Sequence, residues 1–496
     1  MKKQRILFIG ILFVIVGAAG SQIASNYLHM LQSPGATVKD YEDSDYGLGS
    51  NYVDNLITYP ELDKGERSPF DLYKYAGKDK SSFMSRDLGM SWEDWVALHK
   101  KQKPELMADV RDYMNSRYHF SNEAIDGAYM SGNRKPIMKG PISNLADGVD
   151  SYEELAKLSP EEIKAKGLFP YTPLAHPLHS TAHMVFPEQY LAYHEEHRRI
   201  DLDHDIPDQY LPEFPAPMFL TTHKEYGDVS KGREITLGNY FEIFNGLLTP
   251  EQLEGLKELL KLTPSTFFNH TTHRVTIEPG AGVACFSCHT NGHTNGAFEV
   301  APDTRPQLAR LRVKTPSMRG NYNLMQLASK RSIRSMDHFA EVEEYFEADP
   351  GIQQAIGPRS QQRAVTNRMG DFNAILDFPP APKLGPLYKL IPDKATEQEL
   401  LGEAVFHGKG QCITCHGGPA FVDDYMHDLN VERFYVGRPE GPIKTFPLRG
   451  IKDSPPYLHD GRCMTLHDAV EFFNLVLELE MTKEEKDALV AYMLCL

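Results

Sequence analysis

The sequence predicts a mainly α-helical protein with a duplicated unit in its second half, preceded by an extra, mostly helical and irregular N-terminal region. Three observations support this. A Cys-x-x-Cys-His segment occurs twice, as "ACFSCHT" and "GQCITCHGG". Each is followed by a similar stretch, Lys314-Thr315 through Arg319-Gly320 matching Lys444-Thr445 through Arg449-Gly450. Helix-start signatures recur around both.

Cys-x-x-Cys-His is the attachment signature of a c-type haem. Each thiol adds to a vinyl group, the two-residue spacer keeps both sulfurs within one turn, and the following histidine ligates iron. Cys285, Cys288 and His289 form one site, and Cys412, Cys415 and His416 the other. With 6 cysteines and 20 histidines in 496 residues, chance predicts roughly 0.003 copies of the pattern. A zinc site using these four thiolates is the structural alternative, which the histidine after each pair disfavours. The fold class is therefore two tandem cytochrome c-type domains carrying two covalently bound haem c groups.

The remaining bounds agree. The length suggests two or three domains. A formal net charge of −16 argues against nucleic acid as a partner and suits an acidic, soluble surface or attraction of a small basic electron donor. The start "MKKQRILFIGILFVIVGAAGS" has basic residues, an apolar run from Ile6 to about Gly20 and small residues after it. It reads as a signal peptide over residues 1–20, with an uncleaved membrane anchor as the alternative. Either implies export to the periplasm, where c-type haem is attached. Cys463 and Cys495 are left over; a disulfide between them suits that compartment.

The elements follow in order. Residues 21–235 form an N-terminal region of unassigned role. Ser91-x-x-Asp94 and Ser159-Pro160-x-Glu162 start helices there, and "FPYTP" and "PEFPAP" read as coil. His176, His179, His183, His194, His197 and His204 cluster in this region, either as a metal site or as surface and cavity-lining side chains. The first haem domain spans 236–385. Thr249-Pro250-x-Gln252 caps a helix carrying Leu253, Leu256, Leu259 and Leu260. "DFPPAPKLGP", 377–386, cannot continue a helix and separates the copies. The second haem domain spans 386–496, with Thr396-x-x-Glu399 and Thr482-x-x-Glu485 opening helices. Each copy runs into an amphipathic helix ending in paired aromatics, Tyr345-Phe346 and Phe472-Phe473.

Together "GEAVFHGKGQCITCHGGPAFVDDYMHDLNV" and "FPLRGIKDSPPYLHDGRCMTLHDAVEFF" resemble the C-terminal haem domain of bacterial dihaem cytochrome c peroxidases, nearest to the MauG-like branch. The resemblance covers about 236–496. It implies a peroxidase that reduces hydrogen peroxide to water through high-valent haem intermediates, the Cys285/Cys288 haem being peroxidatic and the Cys412/Cys415 haem its redox partner. It implies a small electron-donor protein, a cytochrome c or cupredoxin, as partner, and a calcium ion between the haem domains in many members. Three other readings stand beside it: a MauG-like oxidase of protein side chains, a rubber-oxygenase-type dihaem dioxygenase, and a pure dihaem electron carrier.

The resemblance also directs attention to particular residues. The distal acid–base glutamate is expected after the first unit's Arg-containing turn, where Glu341 is the first choice and Glu343 the second, with Asp337 and His338 behind them. The bland reading of these is a charged, solvated helix. His293 sits too near His289 in sequence to reach the other face of the iron. Arg319 and Arg449 suit haem propionates, which a guanidinium can grip at two points. The tryptophan that often lies between the haems is missing, since the chain has only Trp92 and Trp95; Tyr322, another aromatic or direct haem proximity would replace it. The usual sixth-ligand position of the second haem is Phe473, which has no donor atom. Tyr457, His459, Cys463 and Met464 can replace it, and Tyr457 is favoured as a low-potential oxygen ligand; the alternative is that it packs on the haem edge.

Overall fold

The computed structural model describes residues 92–172, 185–262, 267–268, 272–273, 284–300, 312–331, 333–342, 359–435 and 441–496. The apolar run Ile6–Gly20, His176, His179, His183, Glu343 and Tyr345-Phe346 lie outside these residues. Among the described residues no helix is long and apolar enough to cross a membrane. The architecture is mostly helical, with small two-stranded hairpins.

Each haem unit is built on crossed helices. In the first, Pro250–Leu260 packs against Arg359–Asn373, which also packs against Met336–Val342. In the second, Glu397–His407 packs against Lys483–Met493, and Leu466–Val476 leans on the latter. The anticipated caps form as capping boxes: Thr249 with Gln252, Thr396 with Glu399, Thr482 with Glu485 and Ser159 with Glu162. Each satisfies two otherwise orphaned backbone donors, a contribution of about 1 kcal/mol. The crossings are close because each first helix has a glycine at the contact. A Cβ on Gly255 would collide with the Arg368 carbonyl, and one on Gly402 with that of Ala488.

The duplication continues residue for residue beyond the motif visible in the sequence. Hairpins pair Phe298 with Lys314 and Met426 with Lys444. Gly320 and Gly450 both adopt left-handed backbone, at φ 74° and 70°, before a short 3-10 turn. Isolated bridges join Leu327 to Ile333 and Tyr457 to Cys463. Helices then start at Met336 and Leu466. Every one of these equivalences from Lys314/Lys444 onward spans 130 positions. The register sets Val342 opposite Phe472, while the doublet Tyr345-Phe346 lies outside the described residues.

The N-terminal region has one small cluster of its own, Met107, Val110, Val185 and Leu202, and otherwise shares the cores of the haem units. Met114, Tyr118, Met138, Ile142, Phe169, Tyr210 and Leu211 belong to the same buried cluster as Leu466, Val470, Leu489 and Tyr492 of the second unit. Met218, Leu220, Val229 and Ile235 join the first unit's core with Phe244, Leu256 and Phe372. The segment 377–386 contains no helix, as its prolines require. It is nevertheless anchored: Phe378 is buried, and Asp377 accepts the Tyr322 hydroxyl at 2.6 Å.

Candidate haem centre

Cys285 and Cys288 bracket a single helical turn, Cys285–Cys288, and Cys412 starts the 3-10 turn Cys412–Thr414. Cys412 turns to the Gly410 carbonyl at 3.4 Å and is not among the cavity-lining residues. Cys285, Cys288, His289, Cys415 and His416 all line one continuous cavity of about 550 Å³. Most of the lining is apolar, including Met318, Leu324, Phe339, Phe378, Leu448, Phe472 and Phe473.

The polar groups of the cavity fit a haem. His289 has a buried Nδ1 without a hydrogen-bond partner. Burial pulls its imidazole down to about 4, and the nearby Pro316 backbone only partly opposes this. A neutral imidazole is the form that binds iron. His416 shares Nδ1 with the Phe421 carbonyl at 2.9 Å and is likewise drawn down by burial. Burial pushes the Cys412 and Cys415 thiols up to about 12 and 11. Arg319 lines the cavity with its Nε buried and unpartnered, as a propionate partner would.

Arg319 has structural work as well. It pairs with Asp453 of the second unit at 2.7 Å and donates to the Pro217 carbonyl. Asp453 also accepts Ser131 N from the N-terminal region at 2.8 Å. Its backbone carbonyl accepts His293 Nε2 at 2.8 Å, while His293 Nδ1 meets Ser317 at 2.7 Å. Both His293 nitrogens are thus committed to protein, consistent with a structural role. Arg449 lines the cavity and donates to the Leu496 and Pro379 carbonyls, at 2.7 and 2.8 Å. The paired lysines differ. Lys444 is held by Asp424 at 3.1 Å, whereas Lys314 rests on the Ser454 carbonyl and burial draws its amine to about 7.

Four side chains could face the second iron, and the structure separates them. Tyr457 and His459 line the cavity. Cys463 and Met464 are fully buried and are not among the lining residues. Phe473 also lines the cavity, with an apolar ring. Burial raises the Tyr457 hydroxyl well above the ordinary phenol range. Its counterpart in the first unit is Leu327, which lines the same cavity and has no donor atom.

The candidate acids are less completely placed. Glu341 lies on the helix Met336–Val342, which presents Met336, Phe339 and Ala340 to the cavity. Asp337 and His338 are half-buried on that helix and not among the lining residues. Tyr322 is largely exposed and outside the lining, although its ring lies 6.4 Å from Phe378, which is inside it. Cys463 and Cys495 carry unbridged thiols. In the N-terminal region His194, Glu196 and His197 offer ligand atoms within 4.8 Å of one another, but His194 is held by Glu234 and His197 by Tyr190, both at 2.7 Å. His204 is bound to the Gly296 carbonyl at 3.0 Å. Sequence reading missed Leu327 as the partner of Tyr457, although the constant 130-residue spacing was present to find it.

No family model matches the chain. Among curated proteins, the cytochrome-c peroxidase IdrP2 of Pseudomonas sp. (strain SCT) is 27% identical over 177 residues, covering 27% of this chain and 48% of its own. Cytochrome c551 peroxidase of Nitrosomonas europaea is 32% identical over 112 residues, 20% of this chain and 33% of its own. The methylamine utilization protein MauG of Methylorubrum extorquens is 29% identical over 114 residues, 18% of this chain and 32% of its own. The chain therefore spans about half the length, or less, of the curated relatives it matches. With two Cys-x-x-Cys-His turns on one cavity, the chain is similar to enzymes of the bacterial dihaem cytochrome c peroxidase/MauG superfamily, and this similarity supports its placement there.

Proposed function

We propose that the protein is an exported dihaem c-type peroxidase, reducing hydrogen peroxide to water at the haem held by Cys285, Cys288 and His289. The second haem, held by Cys412, Cys415 and His416, serves as its redox partner. One observation carries this reading: equivalent positions of the two units place Leu327 and Tyr457 on one cavity. A leucine leaves one iron without a protein ligand from that position, and a tyrosine offers the other an oxygen. Asymmetry of this kind suits one reactive iron and one relay, whereas a pure carrier needs ligands at both.

Haem iron supplies peroxide binding and two-electron redox chemistry when bound. The chain's own residues exclude water, orient the group and move the proton. His289 and His416 would each offer a nitrogen to iron, and Arg319, Arg449 and Lys314, which line the same cavity, would offset propionate charge. The proton transfer needs a positioned acid–base side chain, for which a glutamate is the candidate. Glu341, on the helix Met336–Val342 whose Met336, Phe339 and Ala340 line the cavity, is the first candidate for it and Glu343 the second. The electron donor is a small redox protein drawn to the acidic surface.

Stopped-flow spectroscopy of purified holoprotein tests the reading. A high-spin haem that reacts with peroxide within the mixing time supports it. Two low-spin haems inert to peroxide in every redox state sink it and favour an electron carrier, while a stable O₂ adduct as isolated favours an oxygenase.

A further inference from the structure

The N-terminal region places a stack of rings against the first haem-attachment turn. Phe186, Tyr190 and Leu191 form a buried cluster with Cys288 and Ala297. The rings of Phe186 and Tyr190 lie 4.7 Å apart at 21°, and His194 stacks on Tyr190 at 4.5 Å. Tyr190 and His197 have ring planes parallel to within 1°, and the Tyr190 hydroxyl lies 2.7 Å from His197 Nδ1. Both residues are almost wholly buried, at 1% and 2% exposure. Outward from Tyr190, Phe214 lies at 5.8 Å and Tyr193 at 5.4 Å from Phe214. Tyr193 is 67% exposed. The aromatic series therefore runs from Cys288 to the surface.

The chemistry of the buried pair is specific. Removing only an electron from a buried phenol would leave a cation in a poorly solvating interior, at high cost. Passing the phenolic proton to a hydrogen-bonded imidazole leaves the phenoxyl neutral and puts the charge on the histidine. Glu196 stands with His197 in one cluster, and Glu234 holds His194 beside it, so carboxylates surround the place where the charge would settle. A tyrosine that merely filled space beside Cys288 would not need a buried imidazole as acceptor.

We propose that Tyr190 and His197 form a redox-active pair that carries oxidising equivalents from the first haem to the surface at Tyr193, where a one-electron donor is oxidised. This rests on the peroxidase reading above. In the step, Tyr190 gives one electron to the peroxide-oxidised haem, its O–H bond breaks, and the proton moves to His197 Nδ1. One electron from the external donor, entering through Tyr193, and return of that proton restore the phenol. The N-terminal region thereby supplies the hole path that this chain, lacking a tryptophan between the haems, does not provide there.

Freeze-quench electron paramagnetic resonance of the holoprotein tests the pair, with hydrogen peroxide and, separately, with hexachloroiridate(IV), a one-electron oxidant that needs no peroxide chemistry. A tyrosyl signal is expected with both oxidants, reduced about tenfold or more by Tyr190→Phe and by His197→Gln and unchanged by Tyr322→Phe. Tyr193→Phe should leave the signal in place and slow its decay by an added one-electron reductant about tenfold, which keeps the test decisive if the buried variants fail to fold. A Tyr190-dependent signal with hexachloroiridate alone upholds the pair and removes the peroxidase reading. A haem spectrum that changes with peroxide while neither oxidant gives a Tyr190-dependent signal overturns the pair and leaves the peroxidase reading intact. No tyrosyl signal from either oxidant, or decay untouched by Tyr193→Phe, also overturns it.

Discussion

Leu327 and Tyr457 occupy the same place in two copies of one unit, 130 positions apart, each bridged to its partner strand through Ile333 or Cys463 and each lining the shared cavity. The two backbones match at this place; the side chains supply the difference. Tyr457→Phe should remove an oxygen from the second haem, change its spin state and raise its midpoint potential, as loss of an anionic ligand does. Leu327→Tyr should install that oxygen at the first haem and slow its reaction with peroxide by about tenfold or more. Optical redox titration and stopped-flow measurement check both. Unchanged spectra in Tyr457→Phe would remove the ligand assignment.

Glu341 is the first candidate for the acid–base carboxylate and Glu343 the second. Glu341→Gln should slow peroxide cleavage by a factor on the order of 10² or more, the scale of general acid–base catalysis, and Glu343→Gln should change it less. Pre-steady-state rates of the two variants, compared at equal haem content, decide between them; the opposite order would transfer the role to Glu343.

Asp453 joins three parts of the chain, accepting from Arg319, Ser131 and, through its backbone, His293. Asp453→Ala strands the Arg319 guanidinium, whose pair is almost wholly buried. A loss of about 3–5 kcal/mol in unfolding free energy is expected, measured by denaturant titration with haem absorbance and far-ultraviolet circular dichroism as parallel probes. A loss under 1 kcal/mol would mean that the pair contributes no more than an exposed one.

His467 lies 3.9 Å from Asp487 with its Nδ1 buried and unpartnered, and burial draws its imidazole below the ordinary 6.5. The unfolded chain thus takes up this proton more readily than the folded one. Stability is lost as pH falls from about 6.5 toward the lower folded value, by at most about 1.4 kcal/mol per pH unit. His467→Asn should flatten the acid side of the stability profile, measured by denaturant unfolding between pH 7 and 5. A slope equal to that of the parent protein would refute the assignment.

Much of this was legible in the sequence because it is local. Two cysteines, a spacer and a histidine specify an attachment turn within five residues, and a capping box specifies a helix start within four. The motif Lys-Thr through Arg-Gly exposed the duplication, and cavity-facing Phe473 kept the unusual lack of a donor that its position implied. The full extent of the repeat was not legible, since it rests on backbone pairing at Leu327–Ile333 and Tyr457–Cys463, where the side chains share no pattern.

By itself the sequence determined the helical class, the two Cys-x-x-Cys-His turns, their order along the chain and the candidates Tyr457, His459, Cys463 and Met464. Tertiary structure decided which candidates face the cavity, that both turns share it, and that Asp453 meets Arg319 across 134 positions. It also decided that the N-terminal region contributes to both cores and puts Tyr190 against Cys288. The physical reason is range. Covalent spacing and capping act over one helical turn, whereas a cavity wall is assembled from segments hundreds of residues apart, and no periodicity in the chain encodes which will meet.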